Sequence, residues 1–341
     1  MTIRRLPVYL LLDCSESMAG PAIEAVGHGV ETLVKELRSN PQAVETAYLS
    51  VITFSREARQ DVPLTELMSF QIPKLRVRPG TALGAALWLL KDRLKREVIK
   101  NAEGIKGDFK PLIFLLTDGQ PTDDWESAAD AVKQGDAKFA NIVAIGCGPD
   151  VDLQSLYRIT NSVLLMPDLT PDSIRKFFVW LSSSVQAASV RVDGGGAENN
   201  PLNLPTPPPD SLEVASPDGA SAPTLGAPRQ VFLHGHCSRT RRPYLMRFVR
   251  REYEELYDAV AAHPLEALDE SDAESLPPIN SSLLLGCPAC PYCENRHTGV
   301  CPCGALFCAP DNTSAIVCPR CGAQLGGGTG SSEFEISRTQ G

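Results

Sequence analysis

Eight of the chain's 11 cysteines fall between Cys287 and Cys321, and no other feature restricts the possible folds so tightly. The segment reads CPACPYC from Cys287, CPCGALFC from Cys301 and CPRCG from Cys318. Thiols at Cys-x-x-Cys spacing, with Pro and Gly among them, suit knuckle turns that present two thiolates to one ion. Cys290 and Cys293 with Cys318 and Cys321 come close to zinc-ribbon spacing. Cys301, Cys303 and Cys308, with Cys287 as the fourth thiolate, complete a second tetrahedral set. Cys287-x-x-Cys290 is an equally good knuckle and His297 could replace one thiolate, so the pairing stays open at this level. Two closed four-thiolate sites would be structural, because no coordination position is left for a substrate. The expectation is two Zn²⁺ ions held by Cys287, Cys290, Cys293, Cys301, Cys303, Cys308, Cys318 and Cys321.

Clustered thiols imply metal only if the chain lives in a reducing compartment; in an oxidising one they imply disulfides. The N-terminus briefly imitates a secretion signal, since Arg4 and Arg5 precede the apolar run Leu6 to Leu12. That run contains Pro7 and stops at Asp13, which favours a buried strand and a cytoplasmic protein. No stretch approaches 18 consecutive apolar residues, so no transmembrane helix and no membrane partner are expected. An apolar content of 43% with 21% charged residues excludes a wholly disordered chain. The net charge of -9 argues against a general nucleic-acid coat protein.

The first half alternates two periodicities. Residues 7–12, 47–54, 111–116, 141–145 and 163–166 read as strands, the first and third apolar enough for burial on both faces. Residues 22–37, 81–98, 125–139 and 172–185 carry helical spacing. Strands alternating with helices imply an α/β fold, a doubly wound and mostly parallel sheet covered by helices.

In such a sheet, ligands bind beyond the carboxyl ends of the strands. Three loops fall there. Asp13-Cys14-Ser15-Glu16-Ser17 follows the first strand, Arg78-Pro79-Gly80-Thr81 precedes a long helix, and Thr117-Asp118-Gly119 follows the PLIFLL strand. Asp and Ser also cap helices, so the first loop alone is weak evidence. Together, two carboxylates and three hydroxyls suit a hard divalent cation, and no His flanks them to favour zinc.

With the wider stretches RRLPVYLLLDCSESMAGPAIEAV, PGTALGAAL and TDGQPTDDW, these loops resemble the metal-ion-dependent adhesion site of von Willebrand factor A domains. They are similar in particular to the tellurite-resistance TerY family, whose C-terminal metal-binding domain the cysteine-rich tail also resembles. The resemblance implies a Rossmann-like fold and one Mg²⁺, contacted by the hydroxyls of Ser15, Ser17 and Thr81. Asp13 and Asp118 would hold it largely through water. Neutral hydroxyls compensate the cation poorly, so an open position would attract an acidic residue of a partner protein. The implied role is a non-enzymatic interaction scaffold in tellurite resistance or a related stress response. A protein phosphatase and a kinase are the implied companions. Glu16 departs from the family, which usually has Gly there, and is expected to point into solvent. A Mg²⁺-dependent phosphohydrolase is the enzymatic alternative, but Ser15 stands where an aspartate-nucleophile enzyme wants a second carboxylate.

The expected divisions are an adhesion-type domain over 3–187, a Pro/Gly-rich linker over 188–228, a zinc-binding domain over 229–325 and a flexible tail over 326–341. Six arginines between Arg239 and Arg251, interleaved with Tyr244 and Phe248, could read as a nucleic-acid contact beside a zinc ribbon. The favoured reading is a basic strand facing acidic residues of its own module, including Glu266, Asp269, Glu270, Asp272 and Glu274. His234, His236 and Cys237 form a small group read as surface. Cys14 and Cys147 read as small buried hydrophobes.

Overall fold

The structure is a computed structural model that describes residues 4–102, 106–134, 140–148, 151–193, 204–215, 230–251, 254–265, 276–309, 315–326 and 333–338. It divides into two units, Met1–Arg76 with Thr81–Thr224, and Leu225–Gly341 with Val77–Gly80.

The first unit contains β1 (Leu6–Asp13), α1 (Pro21–Arg38), α2 (Pro41–Thr46), β2 (Ala47–Phe54), β3 (Ala58–Glu66), α3 (Leu83–Glu97) and β4 (Leu112–Thr117). These are followed by α4 (Trp125–Gln134), β5 (Asn141–Cys147), α5 (Leu153–Ile159), β6 (Val163–Met166), α6 (Pro171–Asp193) and β7 (Glu213–Val214). The strand order is β3-β2-β1-β4-β5-β6-β7, parallel throughout except for β3 and β7 at the edges. β1 is buried along its whole length because its pleat serves two cores. Leu6, Val8, Leu10 and Leu12 pack with α1 and α6, while Tyr9 and Leu11 pack with α3 and α4. This is the doubly wound sheet the alternating pattern implies.

Several elements differ from the sequence reading. β3 was not expected; its half-exposed antiparallel register gives it none of the apolar continuity of the central strands. α6 runs past residue 185 to Asp193. Its serines are accommodated, as Ser182, Ser184 and Ser189 donate to the carbonyls of Phe178, Trp180 and Val185 at 2.9, 2.8 and 3.0 Å.

The expected linker is in part built into the first unit. Residues 204–215 dock on it through Leu212, which joins the first core, and through β7, which pairs with β6. Trp180 Nε1 also donates to the Pro205 carbonyl at 2.9 Å. A segment poor in apolar residues can still dock when the few it has drop into an existing core. The rest of the proposed linker after Asp193, and residues 135–139 of the expected fourth helix, lie outside the described residues.

The second unit contains β8 (Gln230–Cys237), β9 (Pro243–Arg250), β10 (Tyr257–Pro264), β11 (Leu276–Asn280), β12 (Leu284–Leu285), β13 (Thr298–Val300), β14 (Leu306–Cys308), β15 (Ala315–Val317), β16 (Gln324–Gly326) and β17 (Glu335–Arg338). A six-stranded sheet runs β12-β10-β9-β8-β14-β13, beside the separate pairs β11–β17 and β15–β16. The tail read as flexible returns in part as β17, whose Ile336 joins the core of Val231, Leu233, Met246 and Phe248. Several of the arginines find partners inside the module. Arg251 pairs with Asp258 at 2.7 Å, Arg247 Nε donates to Gln230 at 2.8 Å, and Arg242 lies over the Tyr292 ring. The acidic run from Glu266 to Glu274 lies outside the described residues.

Gly29 marks the closest approach of α1 and α6, since a Cβ there would sit 2.1 Å from the buried Phe178 ring. Overpacking of this kind costs about 1–3 kcal/mol. Replacing Gly in a helix by Ala returns only about 1 kcal/mol. Gly29→Ala should therefore lower the denaturant midpoint of the first unit; a raised midpoint would show that the helices do not pack this closely.

Candidate metal centres

The first candidate centre arises from topology. The chain leaves β1 to form β2 on one side and returns to form β4 on the other, so a crevice opens at the carboxyl ends of β1 and β4. Asp13 is the last residue of β1, and Asp118 follows the end of β4.

Direct contacts join four of the five expected residues. Asp13 Oδ1 accepts from the Ser15 amide at 2.9 Å, and the Ser15 and Ser17 hydroxyls lie 2.9 Å apart. The Ser17 hydroxyl then donates to Asp118 Oδ1 at 2.7 Å. Thr81 is tied to the loop that carries Asp118: its amide donates to Thr122 Oγ1 at 3.1 Å and its carbonyl accepts from the Thr122 amide at 3.0 Å. The Thr81 hydroxyl itself is buried and, among the described residues, has no hydrogen-bond partner. Leaving such a group unsatisfied costs about 1–3 kcal/mol, which a ligated cation would recover.

The supporting residues escaped the sequence reading. Thr117 donates to Asp13 Oδ2 at 2.5 Å and orients that carboxylate. Asp123 accepts from the Gly84 and Ala85 amides at 2.9 and 2.8 Å, capping α3 directly after Thr81. Gly84 is needed there, because a Cβ would meet the Asp124 carbonyl at 2.6 Å. The only signal was the TDGQPTDD run itself, rich in capping residue types. Glu16, expected in solvent, is fully buried in the short turn after Ser15.

Burial raises the Asp13 carboxyl to about 6, although hydrogen bonds from Thr117 and Ser15 pull the other way. Cys147 is buried beside this centre, and burial followed by the Asp118 and Asp13 charges pushes its thiol well up. An all-oxygen cluster with two carboxylates fits a hard divalent cation.

Two further centres lie in the second unit, each made of four sulfurs within 4.8 Å of one another: Cys237, Cys290, Cys293 and Cys308, and Cys301, Cys303, Cys318 and Cys321. A tetrahedral site with Zn–S near 2.3 Å needs sulfurs about 3.8 Å apart. The sulfurs of Cys293 and Cys308 are 3.5 Å apart, Cys301 and Cys321 3.6 Å, and Cys303 and Cys318 3.8 Å. All eleven cysteines are free thiols.

This pairing corrects the spacing-based one. Cys290 and Cys293 do not share a site with Cys318 and Cys321, and Cys287 belongs to neither tetrad. Its sulfur lies 2.6 Å from the Thr298 hydroxyl. Cys237 takes the fourth place and is fully buried, not at the surface. The reason is tertiary: β8 pairs in parallel with β14, which sets Cys237 directly beside Cys308.

The local turn at Cys237 repeats that of the true knuckles. The amides of Cys237, Cys290 and Cys318 donate to the carbonyls of Arg242, Asn295 and Ala323 at 2.9, 2.8 and 2.9 Å. The amides of Arg241, Glu294 and Gly322 return to the three cysteine carbonyls at 2.8, 2.8 and 3.1 Å. Those three residues are left-handed, at φ 59°, 63° and 77°. Thr240 stands where the other knuckles have their second cysteine.

Each tetrad contains one acidified thiol. Burial opposes ionisation of Cys237, but hydrogen bonds from Thr240 and Arg239 bring it down to about 7. At Cys318 burial is likewise outweighed by the Cys321 and Arg320 amides, again to about 7. Thiolates at neutral pH are what a metal needs. His297 is exposed and lies in neither set.

Comparison with known proteins matches residues 8–168 to the von Willebrand factor type A domain and residues 228–341 to the TerY-C metal binding domain. Among solved structures, the chain is similar to a von Willebrand factor type A protein from Catenulispora acidiphila, at 18% identity over 54% of this chain and 43% of that one, with a TM-score of 0.41. It is similar to the ArnB paralog VWA2 from Sulfolobus acidocaldarius at 16% identity, over 54% and 46%, with a TM-score of 0.41. A third structure is proximal thread matrix protein 1 from the mussel byssus with zinc occupying its MIDAS motif, at 19% identity over 55% and 46%, with a TM-score of 0.39. The chain spans less than half the length of each of these structures. No curated protein matches it.

The tetrads make a discriminating pair of variants. Cys237→Ser should lower the zinc content by about one ion per chain, because a four-thiolate site needs all its ligands. Cys287→Ser should leave the content unchanged. Elemental analysis returning the opposite pattern would restore the spacing-based pairing.

The oxygen cluster carries a pH signature. Between pH of about 4 and 6 the folded state keeps a proton on Asp13 that the unfolded chain has released. Metal-free stability therefore falls as pH rises through that window. A cation requires the ionised form, so its affinity rises over the same window, by about tenfold from pH 5 to pH 7 for one such group. Calorimetric titration with Mg²⁺ at both values reads this directly; a flat profile would show that Asp13 stays ionised throughout.

Proposed function

Because the chain joins a von Willebrand factor type A domain to a TerY-C metal-binding domain, we propose that it is a metal-dependent protein-interaction scaffold without catalytic activity of its own. The observation that carries this reading is the continuous contact from Asp13 through Ser15 and Ser17 to Asp118, with the buried Thr81 hydroxyl lacking a partner among the described residues. Mg²⁺ is the cation proposed there, held by Ser15, Ser17 and Thr81 directly and by Asp13 and Asp118 largely through water. It would supply an under-compensated positive charge that attracts an Asp or Glu of a partner protein. This chain's own residues orient the ligands: Thr117 fixes Asp13, while Thr122 and Asp123 fix the loop of Thr81.

Zn²⁺ is the proposed ion of both tetrads, with a structural role, since four thiolates leave no position for substrate. The phosphohydrolase alternative is less well supported, because Ser15 occupies the position of its second carboxylate and Ser17 engages Asp118. The nucleic-acid alternative is weakened by the internal pairing of Arg251 and Arg247. A role in tellurite resistance or a related stress response, beside a phosphatase and a kinase, rests on the resemblance to the TerY family. A cytoplasmic site suits the eleven free thiols. Among the described residues, no helix is long and apolar enough to cross a membrane.

Asp13→Ala and Ser15→Ala should each abolish partner capture that depends on Mg²⁺ while leaving the fold intact. Thr81→Ala should weaken it less. A pull-down in Mg²⁺ against chelator, read by mass spectrometry, measures this. Normal capture by the Asp13 or Ser15 variant would remove the adhesion-site reading.

A further inference from the structure

The two thiolate sites are built into the second unit very differently. Cys237 and Cys308 end neighbouring strands of the six-stranded sheet, and with Cys290 they are buried in the main core beside Tyr244, Met246 and Phe248. Cys293 is the least covered of that set and is still half-buried. In the other tetrad, Cys303 and Cys321 are exposed. Gly304 and Gly322, beside these two thiols, have open space where a Cβ would be. Among the described residues, β15, which Cys318 and Cys321 follow, pairs with β16 alone. From that hairpin, Ile316 and Leu325 pack against a small apolar cluster around Cys301, Ala305 and Phe307.

Exposure decides which thiolates an oxidant reaches. Packing decides what happens once a metal leaves. The inner tetrad retains a sheet and a core, whereas the outer one has little besides its ion. We propose that the Cys301, Cys303, Cys318 and Cys321 site is an oxidant-labile metal site, from which a hydroperoxide releases the ion and frees the Ala315–Gly326 hairpin while the inner site stays loaded. The proposal rests on the reading that both tetrads hold zinc.

The chemistry balances without any further reagent. An exposed thiolate such as Cys303 attacks a peroxide oxygen, the O–O bond breaks, and a sulfenic acid and hydroxide result. A neighbouring thiolate then displaces the second hydroxide and forms a disulfide. Two thiolates thus lose two electrons, and peroxide with two protons becomes two waters. Sulfur pairs within reach include Cys301 with Cys321 at 3.6 Å and Cys303 with Cys318 at 3.8 Å. Two thiolates cannot hold the ion, so it dissociates. Thiol reduction followed by zinc restores the site.

The test uses the full chain as purified, treated with hydrogen peroxide while a chromogenic chelator reports released zinc. One ion should leave at least about tenfold faster than the second, as expected from the exposure difference. Peptide mass spectrometry should place the first disulfide among Cys301, Cys303, Cys318 and Cys321, and trypsin should gain access to Arg320 in the same phase. The doubly substituted Cys303→Ser, Cys321→Ser chain should start with about one zinc and lack the fast phase. Two ions leaving at one rate, or first disulfides joining Cys290, Cys293, Cys237 or Cys308, would overturn the proposal and leave the zinc reading standing. Fewer than two zinc ions in the untreated chain would overturn both.

Discussion

Everything in the first unit hangs on the two-sided burial of β1. Its eight residues are all buried, with alternate side chains feeding separate cores on the two faces of the sheet. Each large aliphatic side chain so placed contributes about 1.5–3 kcal/mol, and a slip of one residue would exchange the two faces completely. Register is therefore held firmly. Asp13, the first polar residue at the strand's end, is fixed in space by hydrophobic packing some distance behind it. Because β2 and β4 lie on opposite sides of β1, the same packing opens the crevice into which that carboxylate projects.

Among the described residues, the second unit has no strand of eight that is buried throughout. Its sheet strands are short beyond β10, and its core is joined by cysteine side chains that would be poor cement without an ion. Hard oxygen ligands sit at the end of a deep strand in one unit, and soft thiolates replace core in the other. The division follows from size: a unit of about 100 residues buries a smaller fraction of its surface and draws on metal for the rest. The two kinds of site thus do different work. An oxygen cluster that compensates its cation poorly can bind a partner, whereas a four-thiolate cage is saturated.

Legibility in the sequence tracked how local each determinant was. β1 and β4 were visible as continuous apolar runs, and α1 and α3 as helical stripes, because their periodicity is a property of neighbouring residues. β3, β7 and β17 were missed or read as loop and tail. Edge strands gain their structure from a partner strand's free hydrogen-bonding groups, and their own sequences need little apolar content. Leu212 and Ile336 show the same effect: single apolar residues in polar segments dock only because a core already waits for them.

The candidate sites divide in the same way. The five oxygen-bearing residues of the candidate site were readable because each lies near a strand end whose place follows from the alternating pattern, and that pattern implies the sheet. Seven of the eight tetrad thiols were readable, since Cys-x-x-Cys knuckles are local turns. Their partition was not. Spacing along the chain favoured Cys287, but the parallel pairing of β8 with β14 brings Cys237, far away in the chain, against Cys308. The sequence by itself determined the doubly wound sheet and which loops gather the candidate oxygen cluster. Only the tertiary structure decided which thiolates share an ion, which polar segments dock, and that Glu16 is buried. Strand pairing and core docking join residues that are far apart in the chain, and no local periodicity records them.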